Sequence, residues 1–166
     1  MSLKIGVLMG GFSEEKEVSL STGSEVIKAC KLLGYNTIEI KFNENYKKFK
    51  NLMHSCDIVF NALHGGIGEN GEIQKWMDKN NIRYTGSGPK SSSICMDKAE
   101  AKSIAANIGI KTPPWETLNY NSNNVKFDLP YVIKPNSGGS TFGLTIIENK
   151  SAIDGAIEKV FCNSNK

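Results

Sequence analysis

Arginine is nearly missing from this 166-residue sequence. Arg83 is the single one among 20 basic side chains, which face 17 acidic ones for a formal charge of +3. Guanidinium forks that grip phosphate in two places are therefore almost excluded within the chain, and lysine must serve as a point charge. Histidine is scarce as well, with only His54 and His64. The four cysteines, at 30, 56, 95 and 162, form no CxxC and no zinc spacing. Neither residue type argues for a metal site. Three of the cysteines sit among apolar neighbours and read as buried free thiols in a reducing cytoplasm. No apolar run approaches the roughly 18–20 residues that span a bilayer. The apolar start at residues 5–9 is too short for a signal peptide and leads straight into Gly10-Gly11. A charge of +3 spread along the chain is no case for nucleic acid or membrane binding. No GxxxxGK[ST] occurs, so a Walker loop is absent.

What remains is an ordinary globular composition, 39% hydrophobic and 22% charged, long enough for one domain or two small ones without disulfide staples. Residues 4–9 read as a short buried strand. Leu20, Gly23, Val26, Ile27, Cys30 and Leu33 follow at helical spacing, with Gly34 where a C-terminal cap belongs. Residues 36–42 alternate like a second strand. Tyr46, Phe49, Leu52 and Met53 suggest a short helix, and residues 57–63 a third strand. A helix over about 71–81 and a brief fourth strand at Arg83-Tyr84-Thr85 complete the alternation. Such an order predicts a doubly wound parallel sheet.

Near residue 97 the pattern changes. Asp97-Lys98-Ala99-Glu100 reads as a capping box for a helix carrying Ala101, Ile104, Ala105 and Ile108. Residues 119–124 are Asn-rich and read as an exposed loop. Residues 129–134 and 144–147 look like two strands around a glycine-rich turn, which favours an antiparallel pair. Positions 153, 156, 157, 160 and 161 then fall on one face of a closing helix. A hairpin alone needs more sheet to be stable. The reading is thus α/β: domain 1–96 is a doubly wound, Rossmann-like parallel sheet, and domain 97–166 is an α+β piece that looks unfinished.

Three glycine-rich loops follow strands and could carry chemistry. In Gly10-Gly11-Phe12-Ser13-Glu14-Glu15-Lys16-Glu17 the glutamates would repel phosphate, so the loop suits an ammonium group. The alternative is a solvated, acidic helix start favoured by the dipole. In the second loop Gly66, Gly68 and Gly71 satisfy GxGxxG, but after the third strand and with Ser91-Ser92-Ser93 where a ribose-binding acid belongs. A dinucleotide site is rejected on that ground. His64, at the strand end, reads equally as a ligand-orienting donor or a satisfied loop histidine. The third loop, Lys134-Pro135-Asn136-Ser137-Gly138-Gly139-Ser140-Thr141-Phe142-Gly143, can fold over phosphates through backbone N–H groups, or be a polar hairpin turn. Lys98, a lysine opposed to its helix dipole, hints at an anionic partner.

Five segments in order resemble the D-alanine–D-alanine ligase family of ATP-grasp enzymes. They are Gly10-Gly11 with Glu15-Lys16-Glu17-Val18-Ser19-Leu20, Ala62-Leu63-His64-Gly65 with Gly68-Glu69-Asn70-Gly71, Tyr84-Thr85-Gly86-Ser87-Gly88, Met96-Asp97-Lys98, and Val132-Ile133-Lys134-Pro135 with Gly139-Ser140-Thr141-Phe142-Gly143. The resemblance runs over nearly the whole chain. Its departures are Lys75 in place of a small residue, Thr141 in place of serine and Phe142 in place of an aliphatic.

The resemblance implies a pre-ATP-grasp domain followed by an incomplete ATP-grasp subdomain. It implies ATP-dependent ligation of two D-alanines through an acyl phosphate, for peptidoglycan precursors. Catalytic roles would fall to Glu15 and Ser140, linked in orienting groups. Glu15 would hold the first D-alanine's ammonium, with Val18 and His64 beside that substrate. Lys98, Lys134, Gly138, Gly139, Ser140 and Thr141 would contact ATP. The Mg2+ (or Mn2+) ligands are expected beyond residue 166. The chain is accordingly expected to be an amino-terminal fragment, inactive alone, cytoplasmic, with a homodimer as the family's common state. Competing readings are a D-alanine–D-lactate ligase and a non-catalytic amino-acid-binding module.

Overall fold

A computed structural model describes residues 2–120, 125–141 and 143–163. It divides the chain into two compact units, Met1–Ile94 and Cys95–Lys166.

The first unit begins with β1 (Lys4–Gly10), α1 (Lys16–Leu32) and β2 (Asn36–Phe42). A 3-10 turn, Tyr46–Phe49, runs into α2 (Lys50–His54), then β3 (Ile58–Asn61). The sheet order is β2-β1-β3 and both pairings are parallel, Lys4 opposite Asn36 and Ile5 opposite Ile58. As the central strand, β1 is covered on both faces, and Val7, Leu8 and Met9 are wholly buried. Each such side chain stabilises the fold by about 1.5–3 kcal/mol relative to exposure. Leu8 joins a cluster with Ile40, Met53, Val59, Ile73 and Met77 on one face. On the other face Val7, Met9 and Ala62 pack with Leu20, Val26 and Ile27 of the α1 side.

Three expectations for this unit need correction. The segment 83–85 is not a strand: it makes a single parallel bridge, Val59 opposite Tyr84. The ladder stops because the Asn61 N–H turns to the Thr85 side-chain hydroxyl, 3.1 Å away, and not to a backbone carbonyl. The glycine loop at 66–71 and the helix after it form two helices, α3 (Gly66–Glu69) and α4 (Glu72–Lys79). Leu33 lies past the last turn of α1 and is 72% exposed. The sequence reading also passed over α5 (Pro89–Met96), whose serine-rich surface has no apolar period.

In the second unit α6 spans Lys98–Asn107, and β4 (Tyr131–Ile133) pairs antiparallel with β5 (Thr145–Ile147). A 3-10 turn, Lys150–Ala152, opens α7 (Ile153–Asn163). Ile133 and Ile147 from one face of the hairpin pack on Ile153, Ala156 and Ile157 of α7. That is the helical face expected from the sequence. The apolar positions expected for α6 behave otherwise: Ile104 is 40% exposed, and Ile108, the C-cap residue just past the helix, is 67% exposed. Part of the Asn-rich segment, 121–124, lies outside the described residues. All four cysteines are free, but Cys95 and Cys162 are exposed and Cys30 and Cys56 only half-buried. Apolar sequence neighbours did not place these thiols on buried faces.

Candidate functional site

The first candidate site lies beyond the carboxyl ends of β1 and β3, where open parallel sheets bind ligands. A cleft of about 130 Å³ is lined there by Gly10, Phe12, Ser13, His64, Gly65 and Asn70, among others.

Two serines from the α1 side build this cleft. Ser19 is fully buried; its hydroxyl accepts from the Gly10 N–H at 2.9 Å and donates to the Ala62 carbonyl at 2.8 Å. It thereby ties the end of β1 to the end of β3. Ser13 donates to the His64 carbonyl at 2.6 Å, joining the first loop to the second. Sequence reasoning assigned neither residue a role. The available signal for Ser19 was a small polar residue at the start of the helix, next to its apolar stripe.

Glu15 is the N-cap residue of α1, and its side chain makes no cap bond. Its carboxylate is spent differently: Oε2 lies so close to Gly65 that a Cβ on that glycine would meet it at 2.7 Å. Gly65 lines the cleft, so Glu15 borders it. The His64 ring has Nε2 3.0 Å from Thr22 Oγ1 and Nδ1 4.0 Å from Glu69 Oε1. Val18, one turn along α1 from Glu15, is 49% exposed. A half-buried carboxylate and an imidazole at one cleft can receive the two ends of a small zwitterion.

The second candidate site is the lysine–glycine loop of the second unit. Lys98 Nζ donates to the Gly138 carbonyl at 2.8 Å and lies 3.3 Å from that of Asn136. The free N–H groups at the start of α6 are already satisfied. Lys98 N donates to the Asn136 carbonyl at 3.1 Å, Ala99 N to Asn136 Oδ1 at 2.9 Å and Glu100 N to Asp97 Oδ1 at 2.9 Å. The Asp97 cap predicted from the sequence is thus formed, and that hydrogen bond from Glu100 holds its carboxyl below the usual range. Burial first, and the nearby Lys134 charge second, push Lys98 below the ordinary lysine range. The structure places Lys98 and Lys134 with Gly138, Gly139 and Ser140 around one shallow pocket. Ser140 holds φ +55, a left-handed turn, and Gly138 φ +113. Thr141 is exposed, and Phe142 lies outside the described residues. Paired cations beside a loop of polar backbone form an anion-binding arrangement.

Glu15, Val18 and His64 therefore belong to the first unit, and Lys98, Lys134, Gly138, Gly139, Ser140 and Thr141 to the second. Among the described residues, no three His, Cys, Asp or Glu side chains gather as a metal site. None of the described helices is long and apolar enough to cross a membrane.

A parallel sheet with its site at this end is the form shared by a known class. Residues 39–87 match the family model for the D-ala D-ala ligase N-terminus. The chain is 41% identical over 165 residues to the D-alanine–D-alanine ligase of Clostridium botulinum, a match covering 94% of this chain and 53% of that protein. It is 40% identical to the Bacillus anthracis ligase, with 96% of this chain and 54% of that one covered. The crystal structure of the B. anthracis ligase superposes with a TM-score of 0.84 at 39% identity, over 96% of this chain and 54% of that chain. Its structure complexed with ATP gives 0.82 at 37%, over 96% and 55%. The chain belongs to the D-alanine–D-alanine ligase family, and it spans about half the length of the curated relatives it matches.

Proposed function

We propose that the protein carrying this chain joins two D-alanines at the expense of ATP. The carboxylate of the first would attack the γ-phosphate, and the amine of the second would then displace phosphate from the acyl phosphate. This chain supplies two parts of that chemistry. Glu15 receives the first D-alanine's ammonium, and His64 takes its carboxylate, with Val18 close by. Lys98 and Lys134 offset phosphate charge, and the loop at Gly138, Gly139, Ser140 and Thr141 covers the phosphates with backbone N–H groups. The observation that carries this reading is the Glu15 carboxylate lodged against Gly65 at the edge of the His64 cleft. ATP use is supported by the relative solved with ATP. Among the described residues, no cluster of His, Cys, Asp or Glu side chains fits a magnesium ion. A cytoplasmic location, a homodimer, Mg2+ bound elsewhere, and the absence of nucleic-acid or membrane partners belong to the same proposal.

Calorimetry with D-alanine tests the first part. Binding is expected, with a loss of about 10–100-fold in Glu15→Gln, the scale of one charged hydrogen bond. Equal binding by Glu15→Gln overturns the assignment. Limited proteolysis tests the second: ATP is expected to protect residues 134–143, and to fail in Lys134→Ala.

A further inference from the structure

His64 is held at two points that its sequence neighbours do not reveal. Ser13 fixes its backbone carbonyl, and Thr22, 42 residues away on α1, sits 3.0 Å from Nε2. The other ring nitrogen, Nδ1, has the Glu69 carboxylate 4.0 Å away. A carboxylate only accepts, so its field favours the proton on Nδ1. Nε2 then carries the lone pair, and the Thr22 hydroxyl is the donor that can satisfy it.

We propose that Thr22 is a positioning residue, whose hydroxyl caps His64 Nε2 and locks the ring in the Nδ1–H tautomer. The ring is then left with one N–H to offer a carboxylate ligand. Glu69 stands beside that same nitrogen, so an incoming carboxylate must compete with it for the proton. Without the Thr22 hydroxyl the ring can rotate or exchange tautomers, and half of its states present a lone pair to an anion. Thr22 is suited to this task by its place in the fold. It lies one helical turn beyond Ser19, whose two buried bonds fix α1 against the ends of β1 and β3. The hydroxyl is therefore delivered from a rigid element.

The ligand part of this inference rests on the reading of His64 as the carboxylate contact; the tautomer part does not. The two are separated by one experiment on histidine-15N-labelled chain. With only two histidines, long-range proton–nitrogen spectra are assigned by the loss of one set in His64→Gln. In the neutral ring, wild type is expected to show protonated Nδ1 and bare Nε2. Thr22→Val is expected to move both signals towards the tautomer average and to weaken D-alanine binding about 5–10-fold, the scale of one neutral hydrogen bond. Thr22→Ser is expected to keep both properties. A protonated Nε2 in wild type overturns the proposal, whatever the variants do. So does an unchanged tautomer in a folded Thr22→Val. If the tautomer responds but wild type binds no D-alanine, the positioning by Thr22 stands and the ligase assignment of His64 falls.

Discussion

The Ser19 hydroxyl and the Ala62 carbonyl meet at 2.8 Å across 43 residues of sequence, wholly out of water. The same oxygen accepts the Gly10 N–H. Ser19→Ala strands both backbone groups in a buried place, at about 1–3 kcal/mol each. A stability loss of about 2–4 kcal/mol is expected from urea unfolding. A change within 0.5 kcal/mol, on the order of an ordinary surface substitution, would mean that the staple is dispensable.

Gly65 and Gly71 should fail in different ways. Both adopt positive φ, +65 and +92. A Cβ on Gly71 would run into the Pro89 carbonyl oxygen, a backbone atom that cannot swing aside. Gly71→Ala should destabilise the first unit by about 2–5 kcal/mol, strain and overpacking together. A Cβ on Gly65 meets the movable end of Glu15. Gly65→Ala should cost about 1–2 kcal/mol of stability while D-alanine binding falls tenfold or more. Thermal melts and calorimetry on the two variants compare them directly, and intact binding in Gly65→Ala would dissociate Glu15 from the cleft.

The lysine pair predicts a pH dependence. Burial and Lys134 lower the Lys98 ammonium pKa. Lys98 therefore loses its charge at lower pH than an ordinary lysine, and ATP protection of residues 134–143 should fade as pH rises towards that range. Lys134→Ala removes one positive charge and should move the Lys98 titration back up. Nζ-detected NMR of lysine-labelled chain measures it; a downward move would contradict the pairing.

Two tyrosines predict alkaline behaviour. Burial and the Glu72 carboxylate, 3.1 Å from its hydroxyl, push Tyr46 up to about 12. Burial and Asp78 do the same for Tyr84. Folding thus favours the protonated phenols. Their contribution is fully present below the unfolded value of 10 and is lost as pH rises through about 12. Stability should fall over that window, less steeply in Tyr46→Phe. Phenolate absorbance at the ordinary tyrosine pH in the folded chain would refute it.

Much of this architecture was legible in the linear chain. The short apolar run ending at Met9 reads as a strand covered on both sides, and β1 is central. The 3.6-residue spacing in 153–161 names the face that α7 buries. Asp97 three residues before Glu100 made a cap that the fold keeps. The glycine clusters fell at strand ends because a chain turning there needs their freedom. These are local signals, written by the geometry of one helix turn or one pleat.

Other features depended on residues 40 or more apart. Whether 83–85 extends the sheet was decided by a Thr85 hydroxyl displacing a backbone partner. Whether Ser19 faces solvent or the head of the sheet, and whether Thr22 reaches His64, depended on the roll of α1 over β1 and β3. Periodicity tells which side of a helix is apolar. It does not tell which polar atom on that helix will find a partner, because a hydrogen bond is settled within a few tenths of an ångström by packing, and packing belongs to the folded whole.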